Sequence, residues 1–257
     1  MATDYAEVTE LAGSGISEEQ LTRMSHRYGW AAQFCPGKDV VEVACGSGQG
    51  LGLLQRASRS LEAGDYSDSC LDVARRHYGN RVPLQKLDAQ SLPYADASKD
   101  LVVMFEALYY IPEAERFVRE CRRVLRPGGQ VLIATANKDL YDFNPSPMST
   151  RYHGTVELVR MFREAGFTAE VSGYMPVGEV SARQRLLRPI KRMVVGLGLM
   201  PKSLAGKRFL KRFVFGRLVP MPAELEAPAS IDPPTPLLPT EPDRSHKVIY
   251  CRATLPA

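Results

Sequence analysis

Val40-Val41-Glu42-Val43-Ala44-Cys45-Gly46-Ser47-Gly48-Gln49-Gly50 is the stretch on which the reading of this chain turns. A β-branched run ends in small residues and glycines, and an apolar, helix-compatible segment follows from Leu51. The order is strand, tight turn, helix. Gly46 and Gly48 tolerate positive φ and carry no Cβ, so a ligand can come close to the backbone. The amides that open the next helix point to the same place. An isolated Gly-x-Gly also occurs in ordinary strand-to-helix turns, so it needs support from elsewhere in the chain.

Leu61-Glu62-Ala63-Gly64-Asp65 supplies it, as a second strand ending in a carboxylate. Asp65 lies 19 residues after Gly46, about the spacing at which a second-strand acid reaches a nucleoside ribose. The turn, however, reads Glu-Val-Ala-Cys-Gly-Ser-Gly and not Gly-x-Gly-x-x-Gly. Glu42 would repel a pyrophosphate, but it suits a ligand that carries an ammonium or sulfonium group. These residues resemble the class I S-adenosylmethionine-dependent methyltransferases, in particular the small-molecule branch called type 11.

Four further stretches resemble the same family. Leu87-Asp88-Ala89-Gln90 follows the third expected strand, and Phe105-Glu106-Ala107-Leu108-Tyr109-Tyr110-Ile111-Pro112 follows the fourth. Arg123-Val124-Leu125-Arg126-Pro127-Gly128-Gly129 precedes the fifth, and Ala165-Gly166-Phe167 precedes the sixth. The resemblance covers roughly residues 17–175 and the last strand.

The alternation itself is legible without the family. Strands are expected at 39–44, 61–65, 82–87, 100–105, 130–136, 167–174 and 246–253. Helices are expected at 49–59, 67–77, 112–125 and from Thr155 to Ala165. Repeated βα units of this length imply a parallel, doubly wound α/β sheet. Val and Ile runs that do not alternate with polar residues fit strands buried on both faces. Ser17-Glu18-Glu19-Gln20 is a capping box opening an N-terminal helix, with Leu21, Met24 and Tyr28 at helical spacing. The resemblance adds a Rossmann-like seven-stranded order, 3-2-1-4-5-7-6, with strand 7 antiparallel. The domains it implies are a cofactor-covering helical segment at 1–36 and a methyltransferase domain at 37–182 and 244–257. A basic helical insertion with a Pro-rich linker would fill 183–243.

Site roles follow from the resemblance. The cofactor is S-adenosyl-L-methionine. Gly46 and Gly48 let the backbone approach its methionine part, with Ala44 in the same turn. Glu42 is a charge partner beneath it, and Arg27 or Tyr28 from the covering helix comes near the methionine carboxylate. Asp65 accepts from the ribose hydroxyls and Asp88 from the adenine amino group. Tyr66 and Gln90 pack on the adenine, and Ala89 and Phe105 complete the cofactor-binding set. Positioning supplies much of a methyl transfer, but a hydroxyl acceptor also needs a base. Glu106, Asp139 and His153 are the candidate catalytic groups. The reaction expected is transfer to a small-molecule or glycan-type acceptor at oxygen. N-methylation, or a non-catalytic binding protein with the same pocket, is the alternative. Phe143-Asn144-Pro145-Ser146-Pro147 is similar to a motif of enzymes that methylate nucleic-acid amines. That motif belongs after strand 4, and this stretch follows strand 5, so no nucleic-acid partner is expected.

Composition bounds the rest. The 257 residues are 44% hydrophobic and 24% charged, ordinary for a globular chain with a sizeable core. No run approaches the roughly 18 apolar residues that span a bilayer. Met1–Glu7 has no apolar h-region, so a secretory leader is not expected. The five cysteines are widely spaced and never in a Cys-x-x-Cys pair. They read as reduced cytoplasmic thiols, with no metal site. Between Arg183 and Arg217 stand eleven Lys or Arg and no acid, so the net charge of +4 comes from this segment. Lys207, Arg208, Lys211 and Arg212 share one helical arc, and Phe209, Leu210, Phe213 and Val214 another. That pattern fits a solvated helix pair, a lid for an anionic or lipid-linked acceptor, or peripheral contact with an anionic membrane surface. Residues 220–243, proline-rich and acidic, read as an extended linker.

Overall fold

A computed structural model of the chain describes residue 9 and residues 11–141, 143–177 and 218–257. The basic segment 183–217 lies outside the described residues, and so do residues 1–8. The elements are β1 (Gly15–Ser17), α1 (Glu18–Ala32), β2 (Asp39–Val43), α2 (Leu51–Ala57), β3 (Ser60–Asp65), α3 (Asp68–Tyr78), β4 (Leu84–Lys86), β5 (Lys99–Phe105), α4 (Ala114–Val124), β6 (Leu125–Ala136), α5 (Thr155–Glu164), β7 (Thr168–Pro176), β8 (Leu218–Pro220), β9 (Thr235–Pro236) and β10 (His246–Thr254).

The main sheet runs β4-β3-β2-β5-β6-β10-β7-β9. Apart from the short edge strand β9, this is the expected order. β10 is antiparallel to both β6 and β7, while β2, β3, β4, β5 and β6 pair in parallel. The central strands are buried on both faces, and their side chains still alternate between two cores. Val41, Val102 and Ile133 pack with Phe117 and Phe162 on one side. Val40, Leu101 and Leu132 pack with Trp30, Leu54 and Tyr250 on the other.

The structure departs from expectation in two places. Arg126-Pro127-Gly128-Gly129 does not separate a helix from a strand. β6 already begins at Leu125, and its register with β5 shifts between Lys99 and Leu101. Pro127 has no N–H to give a ladder, and Gly128 takes φ 77°, which is how a strand absorbs such residues. The second departure is residues 218–243. They are extended, but they wrap the domain as a strap. β8 pairs antiparallel with β1. Met221 and Leu225 are buried, and the Leu225 amide donates to the Gln49 carbonyl at 2.7 Å. Pro228 and Ile231 lie against Gly29 of α1, and β9 adds to the edge of β7. The prolines forbid a helix, while the apolar residues between them give the strand-like chain something to bury.

α1 opens with the expected capping box: the Gln20 amide donates to Ser17 Oγ at 3.2 Å, and the Ser17 amide donates to Gln20 Oε1 at 3.0 Å. The helix lies between strap and sheet, and Tyr28, Trp30 and Ala31 are buried. No helix of the described residues is long and apolar enough to cross a membrane.

Candidate active site

A cavity of about 590 Å³ opens at the carboxyl ends of β2, β3 and β5, roofed by α1. In an open α/β sheet this edge is where ligands bind. Tyr28, Ala44, Gly46, Asp65, Tyr66, Asp88, Ala89, Gln90, Phe105 and Glu106 all line it. Glu42, Gly48, Asp139 and His153 do not.

The glycine turn is built around the Asp65 carboxylate. The Gly46 amide donates to Oδ2 and the Ser67 amide to Oδ1, both at 2.8 Å. Asp65 is thereby fixed to the turn through both carboxylate oxygens. Ala44, Gly46 and Gly48 hold φ of 59°, 58° and 85°. Gly48 is not among the residues that line the cavity. A Cβ there would come within 3.2 Å of Leu51, Tyr78 and Ala74, and its carbonyl accepts from Tyr78 Oη at 2.8 Å. Its small size serves the approach of α3. Gly50 serves α1 in the same way: a Cβ would stand 2.0 Å from the Tyr28 ring.

Glu42 lies beneath the cavity and is 1% exposed. Tyr28 Oη donates to its Oε1 at 2.5 Å, and Oε2 is buried with no hydrogen bond among the described residues. Burial pushes its carboxyl up to about 8, against the lowering effect of Tyr28 and Arg27. Tyr28 also packs edge-on against Phe105, with ring centroids 5.2 Å apart. At the β3–β4 end, the Gln90 amide donates to Asp88 Oδ1 at 2.8 Å. Gln90 Oε1 in turn accepts from the Glu113 amide at 3.1 Å. Tyr66 forms an exposed lip.

The opposite end is organised by Glu106, which follows β5 in a left-handed conformation, φ 50°. Arg27 Nη1 stands 3.6 Å from Oε1, and Tyr109 Oη donates to Oε2 at 3.3 Å. Burial, reinforced by the Glu106 charge, holds the Tyr109 phenol far above its ordinary range, so it stays a donor. The long loop 137–154 docks here. Tyr152 stacks on Tyr109 at 4.2 Å, and the Thr150 amide donates to the Tyr109 carbonyl at 2.7 Å. Tyr110 Oη and Ser146 Oγ are 2.6 Å apart. Of this loop, Ser146 reaches the cavity wall.

Because Tyr152 faces Tyr109, its neighbour His153 turns the other way. His153 is buried, and burial followed by the Arg151 charge lowers its pKa. Asp139 pairs with Lys138 at 2.9 Å, and Lys138 reaches Glu157 at 3.0 Å. The three expected catalytic groups are therefore not assembled; Glu106 alone among them faces the cavity. Arg23, Met24 and Tyr109 line it as well and escaped the sequence reading. Arg23 stands four residues before Arg27, so helical spacing was the signal that could have found it. All five cysteines are buried free thiols. Among the described residues no group of three or more His, Cys, Asp or Glu could hold a metal ion.

The family described as "Methyltransferase domain" matches residues 41–133. The chain is 35% identical over 162 residues to a probable S-adenosylmethionine-dependent methyltransferase of Mycolicibacterium smegmatis, across 61% of this chain and 63% of that one. It is 30% identical over 166 residues to the ubiquinone biosynthesis O-methyltransferase of Thiobacillus denitrificans, across 56% of this chain and 72% of that one. In fold it is similar to the YcgJ protein of Bacillus subtilis. The TM-score is 0.60 at 18% identity, over 90% of this chain and 99% of that chain. The chain spans half to just under two thirds of the length of the mycobacterial relatives that it matches.

Proposed function

Because this chain belongs to the S-adenosylmethionine-dependent methyltransferases, we propose that it moves a methyl group from S-adenosylmethionine to a hydroxyl oxygen of a small molecule. Three observations support the fit to the cofactor. Glu42 Oε2 is buried and makes no hydrogen bond among the described residues, and a cationic ligand above it would draw off the proton that burial holds on this carboxyl. The Asp65 carboxylate is held rigid at the cavity wall by two amides. Gly46 lines the cavity without a Cβ, at a place where one would come within 3.2 Å of the Thr9 side chain. Asp65 would accept from the ribose hydroxyls and Asp88 from the adenine amino group, with Tyr66 and Ala89 beside the ring. When bound, the cofactor supplies a methyl already activated on a sulfonium.

What the chain must add is position and the removal of one proton. Glu106 is the observation that carries the oxygen acceptor. It is a carboxylate on the cavity wall, oriented by Tyr109 at 3.3 Å and Arg27 at 3.6 Å, at the end away from Asp65 and Asp88. Its Oε1 makes no hydrogen bond among the described residues but is itself buried, so the carboxylate must turn toward an acceptor hydroxyl to take its proton. Arg27 then stays near the oxygen that receives it. The aromatic wall of Tyr109 and Tyr110 suits a flat or apolar acceptor. The O-methyltransferase relative of T. denitrificans supports the same atom.

The test is incubation with isotope-labelled S-adenosylmethionine and a pool of phenols and hydroxy acids, with products identified by mass spectrometry. Glu106→Gln should lower kcat by about 10²- to 10⁴-fold and leave cofactor affinity unchanged in calorimetry. Transfer to nitrogen alone, or full activity in Glu106→Gln, would refute the oxygen reading. Cofactor binding without transfer to any acceptor would leave the pocket a binding module.

A further inference from the structure

Tyr109 donates to Glu106 Oε2 at 3.3 Å, yet the turn that carries it is slight. Leu108–Tyr110 is a single 3₁₀ turn, whose own hydrogen bonds have poor geometry. What fixes Tyr109 comes from the loop before α5. Its carbonyl accepts from the Thr150 amide at 2.7 Å, the Thr150 hydroxyl at 3.0 Å and the Arg151 amide at 3.3 Å. Tyr152 lays its ring on the Tyr109 ring, with centroids 4.2 Å apart and planes 18° from parallel.

Tyr152 is braced in turn. Phe143 packs edge-on against it at 4.7 Å, and its hydroxyl accepts from the Ser146 amide at 3.0 Å. It stands just before α5, a helix that buries Leu158, Val159 and Phe162 in the core. A chain of contacts therefore runs from a packed helix through Tyr152 and Tyr109 to one oxygen of Glu106. Space filling alone does not call for it, since a phenylalanine at 109 would stack as well. The Tyr109 hydroxyl is the atom that reaches the carboxylate, and burial keeps its proton in place. Because the Glu106 carboxylate must turn toward an acceptor, the position of that hydroxyl limits where it comes to rest. A misplacement of about 1 Å costs about a hundredfold in rate.

We propose that Tyr152 is a positioning residue for methyl transfer: stacked on Tyr109, it fixes the hydroxyl that orients Glu106, so that seating of the loop before α5 sets the base. The inference rests on the reading of Glu106 as the base. Tyr152 itself does not line the cavity and acts through Tyr109.

The experiment uses the full chain. Labelled S-adenosylmethionine and a pool of phenols and hydroxy acids first identify a methylated product, whose parent compound then serves as acceptor. Wild type is compared with Tyr152→Ala, Tyr152→Phe, Tyr109→Phe and the Tyr109→Phe/Tyr152→Ala double variant. Tyr152→Ala should lower kcat about ten- to a hundredfold, with the acceptor's KM and the calorimetric affinity for S-adenosylmethionine within threefold of wild type. Tyr152→Phe keeps the ring and should recover most of that loss. Tyr109→Phe should lower kcat to a similar degree. The double variant should be no slower than the slower single one, because both changes act through one hydroxyl. Multiplied losses in the double variant would overturn the inference. So would a Tyr152→Ala that raises KM at unchanged kcat. An unchanged kcat in Tyr109→Phe, which removes only the hydroxyl, would overturn it even where Tyr152→Ala destabilises the fold. Wild-type activity in Glu106→Gln would instead refute the base, and no transfer by the wild type would refute the methyl-transfer reading; the inference falls with either.

Discussion

Ala44 and Glu106 hold positive φ, 59° and 50°, at the carboxyl ends of the neighbouring strands β2 and β5. Neither is glycine, so each conformation costs about 1–3 kcal/mol that the surrounding packing must offset. The two strained residues flank one cavity. There the left-handed turn at Glu106 ends β5 and sets the carboxylate between Arg27 and Tyr109. Asp65 is the complementary case, held without strain by two backbone amides. Asp65→Ala should therefore weaken S-adenosylmethionine binding by about 1.5–3 kcal/mol for each ligand hydrogen bond lost to the carboxylate, tenfold or more in Kd. Calorimetry would read this directly, and an unchanged Kd would remove Asp65 from the cofactor site.

Among elements, α1 carries the most. One face supplies Arg23, Arg27 and Tyr28 to the cavity, and another buries Trp30 and Ala31 in the core. Its seat is the glycine turn. Tyr28 covers Gly50 so closely that a methyl group there would overlap the ring at 2.0 Å. Gly50→Ala should force Tyr28 off Glu42 and tilt α1. The expected cost is about 1–3 kcal/mol from overpacking, with a larger proportional loss of cofactor binding than of fold. Chemical denaturation and calorimetry on the same variant separate the two, and wild-type values in both would show that α1 sits less tightly. The strap adds a second fastening. Glu224 accepts from Arg56 at 2.7 Å, Arg81 at 2.8 Å and His77 at 3.0 Å, so 218–232 is clamped to α2 and α3 as well as laid over α1.

At the scale of the whole molecule, two carboxylates pull stability in opposite directions with pH. Burial raises Glu42 from its ordinary value of 4.5 to about 8. Between those values the folded chain keeps a proton that the unfolded chain has lost. Stability therefore falls as pH rises through that window, by at most about 1.4 kcal/mol per unit. Glu224 works the other way. Burial pushes its carboxyl up, but bonds from Arg81, His77 and Arg56 overcome this and hold it at about 2. Its contribution is present above 4.5 and is lost as pH falls toward 2. In urea melts of the cofactor-free protein at pH 5, 7 and 9, Glu42→Gln should flatten the alkaline decline and leave the acid limb alone. Parallel profiles for variant and wild type would show that Glu42 does not carry a proton in the folded state.

The doubly wound sheet, the glycine turn, the second-strand acid and the capping box of α1 were legible in the chain. Each rests on local chemistry: β-branched runs between helical periods, glycines where φ turns positive, Ser17 three residues before Gln20. The two-faced burial of β2 and β5 was legible for the same reason. Tertiary structure decided the rest, because facing depends on what packs where. Gly46 and Gly48 look alike in sequence, yet one meets the cavity and the other meets α3. His153 and Tyr152 are neighbours, and stacking of Tyr152 on Tyr109 turns His153 away from the cavity. The stretch 220–243 reads as a linker by its prolines, but Met221, Leu225 and Ile231 find apolar surface that exists only once α1 and the sheet have come together. Arg23 is one charge among many in the sequence, and only the fold sets it on the cavity wall next to an arginine that is already engaged.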